Sequence, residues 1–186
     1  MDAASPPRFV DLPLEPGRVV GLFTAVRAGE PMRGHDRVDV VAGAGIDGDR
    51  YATRTGLYST KHHDDRHLTL IEAETLAALS RDHDIDLPAQ LCRRNVVVEG
   101  IGLNRLVGRH LRLGAVVVRV GRLNRPCHYL EKLTGLPVYE PLLHRSGVNC
   151  QVLRGGPLSL GDEVREVAQE PHSQEAHSEG IVTSVS

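Results

Sequence analysis

Aromatic residues make up only 3% of this 186-residue chain and tryptophan is absent, so any core must be built from Val, Leu, Ile and Ala. The three cysteines, Cys92, Cys127 and Cys150, are widely spaced and form no C-x-x-C. That spacing argues against a secreted disulfide scaffold and against a zinc knuckle, and makes free thiols the expectation. No run approaches the ~18 apolar residues that span a bilayer, and "MDAASPPRFVDLPLEPG" has neither a basic n-region nor an apolar h-region, so a cytoplasmic chain with no membrane partner is expected. The net charge of -2 supplies no global attraction for nucleic acid, leaving only local arginine clusters for small anions. G-x-G-x-x-G, Walker and G-x-S-x-G elements are missing too, which removes support for nucleotide-fold and serine-hydrolase readings.

What is present reads as a sequence of short strands. "GRVVGLFTAV" and "RVDVVAG" carry Val at alternating or adjacent positions between glycines. "RRNVVVEG" has strand character, "HLRLGAVVVRVGRL" predicts a strand pair around Gly114, and "VNCQVLRGG" and "LSLGDEVREV" predict two more joined by a tight turn at Gly155, Gly156 and Pro157. The clearest helical period follows "HLTLIEAETLAAL", where Thr69 and Glu72 are spaced like a capping box. Short strands, few helices and glycine-marked corners predict a mainly β fold, a small partly closed β-barrel. Residues 1–18 are expected to form a flexible arm, 19–168 the domain and 169–186 a disordered tail.

"GRLNRPCHYLEKLTG" carries the most chemistry. Pro126 restricts how the chain enters "CHYLEKLTG", a two-turn helix that Gly135 stops, and this places Cys127 at the helix start. Helix-terminal amides with Arg122 and Arg125 favour a thiolate there, a soft metal ligand or a sulfur carrier; a small buried hydrophobe is the alternative. Three arginine sets near glycines or strand starts, Arg93-Arg94-Asn95, Arg145 before Ser146-Gly147, and Arg154 before Gly155-Gly156, form a candidate anion pocket, because guanidinium forks and exposed amides suit phosphate. "KHHDDRH", with His62, His63, Asp64, Asp65 and His67, is a rival metal site, although adjacent side chains converge poorly. The polar stretch from Gly43 to His67 reads as a lid under which substrate would enter, and "GIDGDRY" within it as a turn.

Together, "GIDGDRY", "RHLTLIEAETLAAL", "LCRRNVVVEGIGLNRLVGRHLRLG", "RLNRPCHYLEKLTG", "HRSGVNCQVLRGG" and "LSLGDEV" resemble the MOSC domain family, named for the C-terminal domain of molybdenum cofactor sulfurases, over about Val20 to Val167. The resemblance implies a free-standing domain of the MOSC and pyruvate kinase β-barrel-domain-like type that binds the molybdenum cofactor, a pterin dithiolene bearing a phosphate. The family's cysteine falls on Cys127, implying a catalytic metal ligand in an oxidoreductase acting on N-hydroxylated small molecules. The other implied role is a sulfur-carrier or cofactor-delivery module using the same thiol. Arg93, Arg94, Asn95, Arg145, Arg154, Gly155 and Gly156 would then contact the cofactor. With no flavin fold and no Fe–S cysteine pattern, electrons would come from a separate reductase, or the chain would meet a cofactor-delivery protein.

Overall fold

The computed structural model describes residues 8–12, 15–56 and 63–169. In chain order the strands are β1 (Phe9–Asp11), β2 (Gly17–Thr24), β3 (Arg33–Gly34), β4 (Arg37–Val41), β5 (Gly45–Ile46) and β6 (Leu68–Glu72), followed by helix α1 (Ala73–His83). Then come β7 (Val96–Glu99), β8 (His110–Leu113), β9 (Val116–Leu123), helix α2 (His128–Thr134), β10 (Val148–Arg154), β11 (Gly156–Ser159) and β12 (Glu163–Gln169). The order β12-β8-β9-β10-β6-β7-β2 returns to β12, so seven strands close a barrel; β1 and β3 extend it at β12 and β2. Full closure goes beyond the partly closed barrel expected, and it leaves these seven strands with no open edge. Strands β11, β4 and β5 form a separate small sheet.

Two hydrophobic layers explain why some strands alternate and others are apolar throughout. Inside the barrel lie Leu22, Leu68, Leu70, Val96, Val98, Leu111, Val116, Val118, Val120, Val148, Cys150 and Val164. A second layer of Ile71, Leu79, Ile85, Leu87, Cys92, Val97, Leu130, Val138 and Leu142 packs helices α1 and α2 onto the outer wall. Strands β6 and β7, parallel neighbours, contribute to both layers and are therefore apolar on both faces.

That double burial overrides the capping-box pattern. Leu68 to Glu72 is strand, Thr69 is buried and bonded to Asn95, and α1 begins only at Ala73 after an extended Glu72 that makes no side-chain cap. Part of the expected arm is ordered as well: Phe9, Val10 and Asp11 pair with Gln169, Ala168 and Val167, and Arg112 forks onto the Asp11 carboxylate. Residues 170–186, expected as a tail, lie outside the described residues. The predicted hairpin at Gly114 forms, with Leu113 opposite Val116.

The Gly155-Gly156-Pro157 segment is a transfer between sheets instead of a hairpin turn. The chain leaves β10 at Arg154, and Gly156 and Pro157 pair at once with Val40 and Asp39 of β4. A Cβ on Gly155 would lie 2.4 Å from the Val40 carbonyl oxygen, so the crossing needs a residue without a side chain.

Candidate functional site

Strand β9 runs past the barrel rim to Leu123, and the Asn124 N–H donates to the Gly147 carbonyl at 2.7 Å. Cys127 follows in extended conformation (φ -142, ψ 144) as the residue capping α2, and its carbonyl accepts the Leu130 N–H at 2.9 Å. Leu130 is buried in the outer layer, which holds the first turn down and leaves Cys127 half-buried against that layer. Gly135 closes α2 in the left-handed region. The cysteine therefore sits where the local sequence places it, between barrel rim and helix start.

Two recesses meet at Cys127, sharing Tyr51 and Arg94. The larger, about 940 Å³, is lined by Arg66, Arg94, Arg122, Leu123, Asn124, Arg125, Pro126 and Asn149. Antiparallel register brings Arg122 opposite Asn149, and the Arg122 guanidinium pairs with Asp65 at 2.9 Å. The smaller, about 470 Å³, is lined by Ala28, Gly29, Arg50, Tyr51, Arg93, Arg94, Tyr129 and Leu130.

Arg50 is a site residue that no sequence argument selected. Asp49, 1% exposed, accepts the Ala25 N–H at 2.9 Å, the Tyr51 N–H at 3.1 Å and Arg50 Nη1 at 3.1 Å. Arg50 Nη2 then donates to the Arg93 carbonyl at 3.0 Å, and its guanidinium lies 4.6 Å from the Tyr51 ring centroid. "GIDGDRY" is thus a turn from Asp47 onward, as expected, and also a brace carrying a buried ion pair. The available signal was the motif itself, an Asp-Arg pair following Gly45, whose lack of a side chain allows close packing.

Bonds also tie part of the described stretch of Gly43 to His67, where a lid was expected, to the body of the domain. A Cβ on Gly45 would lie 2.2 Å from the His67 carbonyl oxygen, and the Thr55 hydroxyl donates to the Val26 carbonyl at 2.6 Å. Gly45 serves close packing, while Gly43 and Gly48 take left-handed backbone (φ 72 each) with open space beside them. His62 lies outside the described residues. His67 Nδ1 accepts the Val152 N–H at 3.1 Å and Asp65 holds Arg122, so these members of the histidine-aspartate run face different partners. Among the described residues no group of three or more His, Cys, Asp or Glu is arranged to hold a metal ion.

The predicted anion residues divide sharply. Arg93 and Arg94 both line recesses beside Cys127. Arg94 is 9% exposed and is fixed by Nε to the Ser146 carbonyl at 2.9 Å, Nη2 to the Ser146 hydroxyl at 2.6 Å and Nη1 to the Cys92 carbonyl at 3.1 Å. Asn95 is fully buried and turns inward: its Oδ1 accepts the Thr69 hydroxyl at 2.8 Å and its Nδ2 donates to the Phe23 carbonyl at 3.2 Å, tying β6 to β2. Arg145 bonds the Pro141 carbonyl and His83 beside α1, lining a different groove. Arg154 ends β10 opposite Val117 with its guanidinium over Phe9, and Gly155 and Gly156 pack against β4 and Ala115. The structure therefore does not bring Asn95, Arg145, Arg154, Gly155 or Gly156 to Cys127, whereas Arg122 and Arg125 line the recess beside it as their place in the sequence implies, and Arg50 and Arg66 arrive from distant segments.

The three thiols differ in setting. Burial pushes the Cys150 thiol far up from its ordinary range, helped by the Asp65 charge. Burial also raises Cys92, with Arg94 acting in the opposite sense. Brief iodoacetamide treatment of the native chain at neutral pH is accordingly expected to alkylate Cys127 and spare Cys92 and Cys150 until denaturant is added. Peptide mapping that found Cys92 or Cys150 modified first would contradict this arrangement.

A closed seven-stranded barrel with a helix layer on one wall and a half-buried cysteine at its arginine-lined rim defines a small β-barrel domain. The chain belongs to the MOSC domain family, whose model matches residues 57–165. It is similar to the YUAD protein from Bacillus subtilis at TM-score 0.69 and 18% identity, covering 89% of this chain and 100% of that one. YiiM from Geobacillus stearothermophilus aligns at TM-score 0.60 and 16% identity over 82% of this chain and 76% of its own. YiiM from Escherichia coli aligns at TM-score 0.59 and 16% identity over 82% and 71%. Likeness at these identities is one of fold. No curated protein matches the chain. Among the described residues no helix is long and apolar enough to cross a membrane.

Proposed function

We propose that the chain is a molybdenum-cofactor-binding oxidoreductase in which Cys127 is the protein's ligand to the metal. The observation that carries this reading is the convergence of the half-buried Cys127 thiol with four arginines, Arg66, Arg94, Arg122 and Arg125, around the larger recess.

The donor set fits the group. A lone thiolate does not by itself hold a bare divalent ion such as zinc, whose protein sites supply three or four donors. It suits a soft metal whose remaining ligands arrive with the cofactor. Guanidiniums suit a phosphate, and the Asn124 and Asn149 amides offer both donors and acceptors to a pterin edge. When bound, the cofactor supplies two-electron redox chemistry at a soft metal.

The chain's own residues hold, shape and shield that site. Pro126 limits the approach of the backbone to Cys127, and the buried Leu130 keeps the helix start against the wall. Ser146 holds the Arg94 fork in one orientation from the strand side, so its charge is fixed before any ligand arrives. Arg66, Arg122 and Arg125 compensate negative charge at the rim, and Tyr129 and Leu130 limit water on the other side of the thiol. A separate reductase supplies electrons.

Native protein from cofactor-competent cells is expected to contain about one molybdenum per chain with a matching amount of pterin, and protein from cofactor-deficient cells none. The R66Q/R122Q/R125Q variant should retain molybdenum through Cys127 less well at low salt, with its deficit against the unmodified chain shrinking as salt is raised. A metal-free native chain bearing a persulfide on Cys127, found by intact mass, would replace this reading with the sulfur-carrier one.

A further inference from the structure

The smaller recess has a charge and a shape that the cofactor reading leaves unused. Arg93 enters it from a left-handed residue (φ 63) that ends the 3-10 turn Ala89–Cys92. Its Nη1 donates to the Glu30 carbonyl, and among the described residues no carboxylate lies within ion-pair distance of it. Arg94 beside it is bonded to carbonyls and a hydroxyl, again without a carboxylate. Among the described residues only Arg50 of the three has an acidic partner, Asp49. Burial and the Arg50 guanidinium push Arg93 down from the usual arginine range, with Tyr129, Tyr51 and Asp49 acting in the opposite sense. Half-buried cationic charge without a counter-charge is unfavourable, and a ligand anion relieves it.

The rest of the lining is apolar or aromatic. Tyr51 and Tyr129 are two of only six aromatic residues in the whole chain, and both border this recess. Gly29 (φ 80) keeps it open on one side: a Cβ there would lie 3.0 Å from Tyr129 Oη. Tyrosine faces favour a flat ring, and a guanidinium fork favours a carboxylate coplanar with that ring.

We propose that the smaller recess is a subsite for planar aromatic carboxylates, with the ring against Tyr51 and Tyr129 and the carboxylate on Arg93. Cys127 lines the same recess, so a molecule anchored by its acid end presents its other substituent to the thiol. Resting on the oxidoreductase reading, this narrows the substrate class of that site to aromatic acids.

Calorimetric titration of the full chain, purified from cofactor-deficient cells, tests the subsite directly with benzoate, benzamide and inorganic phosphate. Benzoate is expected to bind once per chain, benzamide at least about tenfold more weakly, and phosphate to leave the benzoate affinity unchanged. R93Q should abolish the preference for benzoate over benzamide, and Y129A should weaken benzoate binding. Equal affinity for benzoate and benzamide in the unmodified chain would overturn the proposal without recourse to any variant. So would displacement of benzoate by phosphate together with an indifferent Y129A, which would make the recess a plain anion hole. Should R93Q fail to fold, R93K keeps the charge and loses the fork, and an unaltered benzoate affinity in R93K would equally count against it. Since the titration needs no cofactor, failure of the molybdenum reading leaves its outcome intact, and loss of benzoate binding leaves the molybdenum content intact.

Discussion

Replacing Cys127 by serine (C127S) is expected to empty the protein of molybdenum and to abolish turnover of N-hydroxylated substrates while leaving the fold in place. Serine is nearly isosteric with cysteine, and Cys127 is half-buried with no hydrogen bond capping α2, so stability should change by less than about 1 kcal/mol. The hydroxyl is a hard, high-pKa donor in place of a soft thiolate. Because the first-sphere bond itself is lost, metal retention should fall by more than the roughly 10–100-fold that accompanies loss of an outer partner. Elemental analysis and a melting curve on the same sample separate the two effects. Molybdenum in C127S equal to that of the unmodified chain would remove Cys127 from the metal. C92A is the control for packing: Cys92 is 1% exposed in the outer layer, so its truncation should lower the melting temperature and leave metal per folded chain unchanged.

The second large effect is expected at Asp49, which touches no proposed ligand. In Asp49→Ala the Arg50 guanidinium, 4% exposed, loses its carboxylate, and the buried Ala25 N–H loses its acceptor. Breaking a buried ion pair by removing one partner costs about 3–5 kcal/mol, a fall in melting temperature on the order of 10 °C for a chain of this size. Asp49→Asn keeps an oxygen for the Ala25 N–H and loses the charge, and should fall between the two. The site should suffer as well, because Arg50 is the link from this brace to the Arg93 carbonyl and to Tyr51. An Asp49→Ala protein melting within ~1 °C of the unmodified chain would show that the pair does not brace the site.

The misread residues share a physical pattern. Thr69 and Glu72 satisfy the spacing of a capping box, but Leu68 and Leu70 gain more by entering the barrel, and the strand wins. Asn95 follows two arginines that reach the recesses, yet it lies at the entry to β7 and points at Thr69, because strand geometry turns successive side chains to opposite sides. Arg154 and Gly155 looked equivalent to other arginine-glycine pairs. They sit at the far end of β10, six residues and on the order of 20 Å from Val148, which lies opposite Leu123 near the rim that carries Cys127.

Local chemistry in the chain was enough to determine strands β2, β4, β7, β8, β9, β10 and β12, the hairpin at Gly114, the mainly β barrel class, and Cys127 at the start of a short helix between Pro126 and Gly135. Each of these depends on residues within one element or one turn, where backbone preference and side-chain period act directly. Arg122 and Arg125 stand near that cysteine in the sequence itself, and tertiary structure alone decided which distant arginines join them. Arg122 stands opposite Asn149 through strand register, Arg50 reaches the Arg93 carbonyl across 43 positions of sequence, and Arg145 is drawn off to Pro141 and His83. Such convergence is set by closure of the barrel and the buried pairing of Asp49 with Arg50, whose energies arise only once distant segments have left water together.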